Sequence, residues 1–574
     1  MTKDFYSELA AELGKKRQSK DDATKLKMVL TKKHGLAKVP SDIEVFLNLP
    51  EAQAGKLKQQ LGIKPVRTIS GIASISIMTM PYGCPHGRCT FCPGGPKSAF
   101  GDVPQSYTGR EPATMRAIRA GFDPYLQVFS RLEQYSVTGQ AFDKIELIVQ
   151  GGTFPWMPQD YKEEFIGYAY KAMNDFSEEF YQGINEINLL HYKEFFEMPG
   201  NFKDEERVKR VTNNILQLKG MKNKNESVSD FLLKQQKLNE NAKVRCIGLT
   251  IETKPDWGKA EHGNHMLKLG CTRVELGIES VHENELKLTN RGHKLVDTKE
   301  SLQQLKDMGF KINAHYMLGL PGSTLESDLE GLKELFSNPD FRPDMLKIYP
   351  CLVIKGTPLY LQWERGQFTP ITTAQAAEII SEFKRFVPKW CRIMRVNRDI
   401  PTFVTSAGID RTNLRQYVQQ LQQQKGIICN CIRCREIGRK GWSGKSEINV
   451  MHYGGSGGKE FFIAAEDPVN DSIIGFCRMR FPSQQLREEI TPTTAIIREL
   501  HVYATAVAIG KNPDVNTKMQ HRGFGKELMA AAEEIARNNG MDKMLVISGV
   551  GAREYYKKLG YDYDGAYMGK RLAF

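Results

Sequence analysis

Six short stretches of this chain run apolar or alternate apolar with polar: SGIASISIMTM (70–80), KIELIVQGGT (144–153), VRCIGLTIET (244–253), TRVELGIES (272–280), KINAHYMLGLP (311–321) and MLKIYPCLVI (345–354). Segments of helical periodicity, such as TKESLQQLKDMG (298–309), lie between them. Strand and helix repeating in this order predict parallel strands with helical crossovers, an open or partial α/β barrel. Ligands of such folds gather at the carboxyl ends of the strands. Residues 1 to about 65 read as short amphipathic helices ending near SDIEVFLNLP, without a catalytic pattern. From about 443 a different texture predicts a compact α+β domain. Its strands are EFFIAAED (460–467) and SIIGFCRMRF (472–481), followed by the apolar stretch AIIRELHVYAT (495–505). The turn MQHRGFGKEL (519–528) then opens a helix, and a strand KMLVISGV (543–550), a short helix AREYYKKLG (552–560) and a final strand complete it. The expected domains are 1–65, 66–383, a connector 384–442, and 443–574.

Length agrees with several domains, since 574 residues exceed what one core can bury. No apolar run reaches the roughly 18 to 20 residues of a membrane span, and the polar first 30 residues carry no signal-peptide core. A cytoplasmic chain is expected, and in a reducing compartment clustered thiols point to metal ligands or catalytic groups rather than disulfides. The net charge of +13 is concentrated: residues 1–70 hold 14 Lys and Arg against 8 Asp and Glu, and residues 384–440 hold 13 against 3. Such local excess suits a polyanion, because each neutralised phosphate releases counterions. A merely solubilising surface is the plainer alternative.

The stretch PYGCPHGRCTFCPGGPKS (81–98) follows the first predicted strand, hence the mouth of the barrel. Cys84, Cys89 and Cys92 have the spacing C-x4-C-x2-C. Tetrahedral zinc needs a fourth ligand, and only His86 is near, tightly placed between two others. A 4Fe-4S cluster on three thiolates leaves one iron without a protein ligand. That open position can take the amino and carboxylate groups of S-adenosylmethionine, whose reductive cleavage gives a deoxyadenosyl radical.

This loop resembles that of the radical SAM superfamily, though the superfamily's usual first gap is three residues and this one is four. The continuation CPGGPKSAFGDVPQSYTGREPATMRAIRAGFDPY (92–125), with QGGTF, GLTIETKPD, ELGIES and KIYPCLVIKGTPLY, resembles the catalytic subunit of the Elongator complex and its free-standing archaeal and bacterial relatives. In that family the first gap varies.

A glycine turn opening a helix presents backbone amides to an anion. Preceded by ELHVY and followed about 30 residues on by REYYKKLGY, the turn QHRGFGKEL resembles the GNAT acetyltransferase superfamily. The resemblance implies that Glu499, Leu500, His501 and Val502 pair with the pantetheine arm of acetyl-CoA. It also implies that Gly523, Phe524, Gly525 and Lys526 cradle the pyrophosphate. Tyr556 would direct the thioester or protonate the departing thiolate, with a core tyrosine as the competing reading. Lys144 would be a further acetyl-CoA contact, which implies that the barrel and the acetyltransferase domain face one another.

In the connector, CNCIRC sets Cys429, Cys431 and Cys434 in a C-x-C-x-x-C clip suited to a structural zinc, with Cys391 and His452 as candidate fourth ligands. Cys246, Cys271, Cys351 and Cys477 lie in apolar runs and read as core.

Acetyl transfer to an amine needs no radical. Attaching the acetyl methyl carbon to an aromatic carbon does, because that methyl is a poor acid and a poor nucleophile. The resemblance implies that hydrogen abstraction from the methyl, addition to C5 of the wobble uridine at position 34 of a tRNA and thioester hydrolysis give 5-carboxymethyluridine. The basic segments would grip the anticodon stem-loop. Lys347 and Tyr349 are candidate catalytic residues, with Lys355 beside them, and Glu252 and Glu279 are candidates for the methionine or ribose of the cofactor. Accessory subunits are not implied, and the electron donor is left open. The alternatives are a protein lysine acetyltransferase with an iron-sulfur scaffold and a non-catalytic RNA-binding protein.

Overall fold

The computed structural model describes residues 2–15, 20–49, 71–182, 186–201, 203–223, 225–503 and 523–573. Residues 50–65 of the predicted helical region, the start of the strand predicted from residue 70, Ala504, Thr505 and the 519–522 part of the glycine turn lie outside the described residues. No helix among the described residues is long and apolar enough to cross a membrane.

The chain divides into two compact units. The first comprises Met1–Ile75, Asp123–Ile145 and Glu164–Cys246. It opens with α1 (Thr2–Lys15), α2 (Lys20–Lys33) and α3 (Asp42–Asn48), the short amphipathic helices expected there. Phe5 and Leu9 are buried under them, and Lys27 of α2 pairs with Asp42 of α3. Elsewhere in this unit the core is aromatic, with Phe129 5.3 Å from Phe176 and 6.1 Å from Phe180 between ring centroids.

The second unit, Ser76–Phe122, Glu146–Glu163 and Ile247–Phe574, carries two seven-stranded sheets, except for the opening residues of three strands of the first sheet, which fall in the first unit. The first sheet consists of β1 (Ala73–Met78), β2 (Lys144–Gln150), β3 (Arg245–Thr253), β4 (Cys271–Glu279), β5 (Lys311–Leu318), β6 (Met345–Pro350) and β7 (Arg392–Arg395), side by side in chain order. Pairing from β3 through β7 is parallel. Parallel strands laid down one beside the next, each with a helical return, build the half barrel that the strand-helix alternation predicts.

Two details differ from the prediction. The apolar run at 345–354 is not one strand: β6 ends at Pro350, which lacks an N–H for the ladder, and Val353–Ile354 pairs separately with Thr405–Ala407. The stretch read as a basic connector supplies β7, the seventh strand, where Ile393 is buried among arginines and so gives only a weak strand pattern.

The second sheet is formed by β8 (Glu447–Gly455), β9 (Gly458–Asp467), β10 (Ser472–Phe481), β11 (Thr494–Val502), β12 (Lys543–Val546), β13 (Asp562–Asp564) and β14 (Tyr567–Arg571). Its order is β8-β9-β10-β11-β12-β14-β13, antiparallel except for β11 against β12. The helix Phe524–Asn538 packs on it, burying Phe524, Leu528, Met529, Ala532 and Ala536.

This sheet sits beneath the amino ends of the barrel strands. Arg498 donates to the carbonyl of Phe310, just before β5, at 2.9 Å, and grips Asp344, just before β6, with both terminal nitrogens at 2.7 and 2.6 Å. Tyr567 Oη donates to the Met308 carbonyl at 2.9 Å. Gly549 lies so close to β3 that a Cβ there would meet the Ile247 carbonyl oxygen at 2.0 Å. The cysteine loop is at the opposite, carboxyl end of the same strands.

Candidate functional site

The loop after β1 folds through two tight backbone bonds, Gly87 N to Cys84 O at 3.1 Å and Cys92 N to Cys89 O at 3.0 Å. It is tied to the barrel by Thr90, whose N–H donates to Thr289 O at 3.0 Å and whose carbonyl accepts from Leu359 N at 2.9 Å. Cys89, Phe91 and Cys92 then bury themselves against Met317, Leu320 and Cys351. Each of the three thiols has a polar neighbour. Cys84 Sγ lies 3.4 Å from Thr153 Oγ1, Gln105 Nε2 donates to Cys92 Sγ at 3.0 Å, and Cys89 Sγ has His86 Nε2 at 3.2 Å and Arg291 Nη1 at 3.5 Å. Gly151 and Gly152 of QGGT are required here: both have positive φ, and a Cβ on Gly152 would meet Gln105 Cβ at 2.8 Å and Cys84 Sγ at 3.6 Å.

The donor set fits an iron-sulfur cluster better than a single ion. Cys429, Cys431 and Cys434 bring their ligand atoms within 4.8 Å of one another, as one small ion needs; Cys84, Cys89 and Cys92 do not form such a group with His86. Burial pushes the Cys89 thiol up to about 11 even with Arg291 beside it. Ligation by a cation is therefore what would deprotonate it. His86 is held down to about 3 by burial, with Lys254 and Arg291 adding to the effect, and it stays neutral. Its Nδ1 is buried without a hydrogen-bond partner among the described residues.

Below the loop, one face of the barrel sheet is apolar and the other is not. Leu147 and Val149 of β2, Val274 and Leu276 of β4, and Ile312 and Ala314 of β5 are fully buried. The alternate positions hold ions and amides. Glu275 accepts from Asn313 Nδ2 at 3.1 Å, lies 3.1 Å from His315 Nε2 and pairs with Lys347. Glu252 accepts from Gln150 Nε2 at 3.2 Å and from Tyr107 Oη at 3.3 Å. Arg273 meets Glu146 at 2.5 Å.

Burial alone would raise both central carboxyls, and they part company. Glu275 is held well below the carboxylate range by Lys347, His315 and Arg273. Glu252 is raised by burial and by the charge on Glu275. Two neighbouring buried acids pushed in opposite directions are a mark of a working site. Glu252, Glu275 and His315 are also close enough to hold a cation, but the Lys347 ammonium already neutralises Glu275.

The predicted barrel residues fall here unevenly. Lys347 is in the centre of this cluster, and Tyr349, half-buried, has its ring 5.3 Å from that of His315. Glu252 belongs to it. Glu279, in a positive-φ conformation, pairs instead with Arg291 at 3.2 Å, beside Cys89. Lys355 is exposed in the turn beyond Ile354 and joins none of these groups. Glu275, Arg273, Asn313, His315, Gln105 and Arg291 escaped the sequence reading. The signal that could have found the strand members is polar residues at every second position of otherwise apolar runs.

At the amino end, β11 pairs with β12 only as far as Ile497 and Val546, then continues to Val502 against β10. The two parallel strands thus separate where Glu499, Leu500, His501 and Val502 stand. A register shift opposite Arg478 and Met479 leaves Arg498 as an extra residue and turns it toward Asp344. Glu499 accepts from Arg478 Nε at 2.9 Å, and Arg478 and Lys311 outweigh burial to hold it below the carboxylate range.

Gly523, with φ of 91°, starts the helix Phe524–Asn538, and Gly525 in its first turn leaves room for Tyr555, whose hydroxyl would lie 2.5 Å from a Cβ there. Lys526 follows in the same turn. Tyr556 is only 6% exposed, its hydroxyl pushed well up by burial beside Cys477, whereas Tyr555 is 38% exposed. Lys144 opens β2 in the first unit, its ammonium lowered by burial and by Arg245.

In the connector, Cys391 is buried and its carbonyl accepts from Ile432 N at 2.9 Å, but its thiol stands outside the close group of Cys429, Cys431 and Cys434. His452 lies on the exposed strand β8 and joins no such group. Cys246, Cys271, Cys351 and Cys477 are buried, as core residues should be.

Four family profiles and several known proteins match this chain. The ELP3 N-terminal domain profile matches residues 2–69, the Radical SAM superfamily profile 206–335, the Radical_SAM C-terminal domain profile 343–423 and the Acetyltransferase (GNAT) family profile 435–561. The superfamily match starts downstream of the cysteine loop, so the loop's assignment rests on its own residues. A tRNA uridine(34) acetyltransferase of Methanocaldococcus infernus is 44% identical over 93% of this chain and 92% of its own. The human Elongator complex protein 3 is 39% identical over 97% and 94% respectively. The solved structure of Methanocaldococcus infernus Elp3 lacking its N-terminus matches with a TM-score of 0.71 at 39% identity, over 88% of this chain and all of that one. A radical SAM half barrel and a GNAT sheet on one polypeptide, with identity of this extent, place the chain in the Elongator complex protein 3 family, together with the archaeal tRNA uridine(34) acetyltransferases.

Proposed function

We propose that this protein modifies uridine 34 of tRNA, using acetyl-CoA and S-adenosylmethionine to build 5-carboxymethyluridine. The observation that supports the reading is that the cysteine loop and β11, the strand here proposed to hold acetyl-CoA, lie at the two ends of one polar-lined half barrel. When bound, the cluster and S-adenosylmethionine supply a hydrogen-abstracting radical, and acetyl-CoA supplies the two-carbon unit.

The chain's own residues divide the remaining work. Cys84, Cys89 and Cys92 hold the cluster, with Gln105 and Arg291 donating to two of the three sulfurs. Such donors stabilise thiolate charge and tune the potential of a cluster. Glu252, whose carboxyl is raised by burial and by the charge on Glu275, stands between Gln150 and Tyr107 where it can meet a polar group of the base or the thioester. Lys347 and Tyr349 provide the polar groups facing it from β6. Glu499–Val502 and Gly523–Lys526 hold the coenzyme, with Lys144 as a further contact. Tyr556, whose hydroxyl keeps its proton at any physiological pH, has the state a proton donor to the departing thiolate requires. The basic N-terminal helices and connector bind RNA phosphates.

An anaerobic incubation of reconstituted protein with S-adenosylmethionine, acetyl-CoA and tRNA tests this. Deoxyadenosine and carboxymethylated uridine are expected together. Acetylated lysine in peptides, with no deoxyadenosine, would overturn the proposal in favour of a lysine acetyltransferase.

The second cysteine group is proposed as a structural zinc clip. Its ligand atoms lie within 4.8 Å of one another, and Cys431 caps the start of the four-residue helix Ile432–Arg435. Cys431→Ser and Cys434→Ser are each expected to lose one zinc per chain by elemental analysis and to expose residues 425–442 to protease. The deoxyadenosine yield without tRNA should hold. Unchanged zinc in both variants would rule the clip out.

A further inference from the structure

We propose that the polar inner face of the half barrel is the path by which the acetyl end of acetyl-CoA reaches the radical site. The inference rests on the reading above, that both cofactors serve one reaction. It adds where they meet and which residues line the way.

The two ends are fixed by contacts. Cys84 follows the carboxyl end of β1, and Gln105 ties Cys92 toward the barrel. Glu499 and its neighbours lie under the amino ends: Arg392, the first residue of β7, donates to Tyr503 Oη at 2.9 Å, and Lys311, the first residue of β5, lowers the Glu499 carboxyl. The length of the strands lies between, about 20 Å for six residues. Hydrogen abstraction needs its atoms about 3 to 3.5 Å apart. One substrate arm must therefore cross that span, and a pantetheine arm entering among the strands is long and thin enough to do so.

The inner face is built for a polar passenger. A closed, packed barrel fills this space with branched apolar side chains. Here Arg273 and Glu146 stand at the amino end, and Glu275 and Glu252 further up, with Tyr107 linking Glu252 to the cysteine end. Between them lie atoms with no hydrogen-bond partner among the described residues: Thr250 Oγ1, Asn313 Oδ1 and Arg273 Nε. Thr250 is opposite Arg273 and Glu252 opposite Glu275 in the strand register, so all four share the face. Buried groups of this kind are costly unless something polar reaches them. A thioester carbonyl and pantetheine amides carry the donors and acceptors that would.

The test uses bromoacetyl-CoA and the full chain with a Thr250→Cys substitution. A thiol within reach of the acetyl end displaces bromide: the sulfur–carbon bond forms, the carbon–bromine bond breaks and the thiol proton goes to water. Peptide mass spectrometry should find the thioether at position 250, formed at least about tenfold faster than in the Leu249→Cys control on the opposite face, and suppressed by acetyl-CoA. Asn313→Cys gives the same readout should the first variant fold poorly. Bromoacetyl-CoA that competes with acetyl-CoA for binding, yet labels neither inner position, overturns the path and leaves the proposed reaction standing. Failure of acetyl-CoA itself to bind the unsubstituted protein overturns both.

Discussion

Changing Cys89 to serine abolishes the visible iron-sulfur absorbance of the reconstituted protein and, with it, deoxyadenosine and modified uridine. The loss exceeds the about 10- to 100-fold that removal of an outer-shell partner costs, because a ligand and not its support has gone. Cys89 is chosen because it has two cationic or ring nitrogens beside it, His86 at 3.2 Å and Arg291 at 3.5 Å, and is buried against Met317 and Leu320. Serine nearly preserves its volume, so acetyl-CoA binding in the distant sheet remains as a check on folding. Cys271→Ala, in the core at the start of β4, should keep the absorbance. Retention of a full cluster by Cys89→Ser would show that the loop is not its seat. Gln105→Leu and Arg291→Met should give the smaller, outer-shell effect: the cluster forms, but its reduction potential shifts, because each removes a donor to sulfur.

Much of this site could be read from the sequence because it is written in adjacent residues. Cys84, Cys89 and Cys92 sit on one loop, and the glycine turn announces its helix within a few positions. What could not be read is held together by residues far apart in the chain. Glu275 finds Lys347 seventy-two positions later and Arg498 reaches back to Asp344, and no local pattern marks either pair. Arg273, Asn313 and His315 look like ordinary interruptions of apolar strands until the register shows them sharing a face. Tyr556 illustrates the same limit at short range. The Tyr555-Tyr556 pair is plain in the sequence, but only the packing shows that the second is buried beside Cys477 while the first lies over the helix start at Gly525. β7 escaped for a compositional reason, since four residues rich in arginine carry no apolar alternation.

Asp344→Ala should destabilise the protein by about 3 to 5 kcal/mol, the cost of stripping one partner from a buried ion pair. Asp344 and Arg498 are both fully buried, and the carboxylate also accepts from Ile312 N at 2.8 Å. Removing it leaves the Arg498 guanidinium with the Phe310 carbonyl and a more distant Glu460, at 3.4 Å, in place of a bidentate partner. A double substitution, Asp344→Leu with Arg498→Met, should recover most of the loss, because well-packed apolar residues replace buried pairs at little cost. Denaturant titration measures both; a single-variant loss under about 1 kcal/mol, the worth of an exposed pair, would refute the argument. The pH dependence supplies an independent sign. Burial would raise the Asp344 carboxyl, but Arg498, Arg478 and Lys306 hold it below the ordinary value, so the folded state binds its proton less readily than the unfolded chain. Its contribution is thus complete above the unfolded value near 3.9 and is lost as pH falls toward the folded one. Between about pH 5 and 3 the parent protein should lose stability faster than the double variant. On the proposed path the consequence reaches catalysis: Arg498 immediately precedes Glu499, so the pair that fixes β11 under β5 and β6 would also set where the acetyl group starts. Asp344→Ala protein that still folds should bind acetyl-CoA, cleave S-adenosylmethionine and yet join the two reactions poorly, giving more deoxyadenosine per modified uridine than the parent.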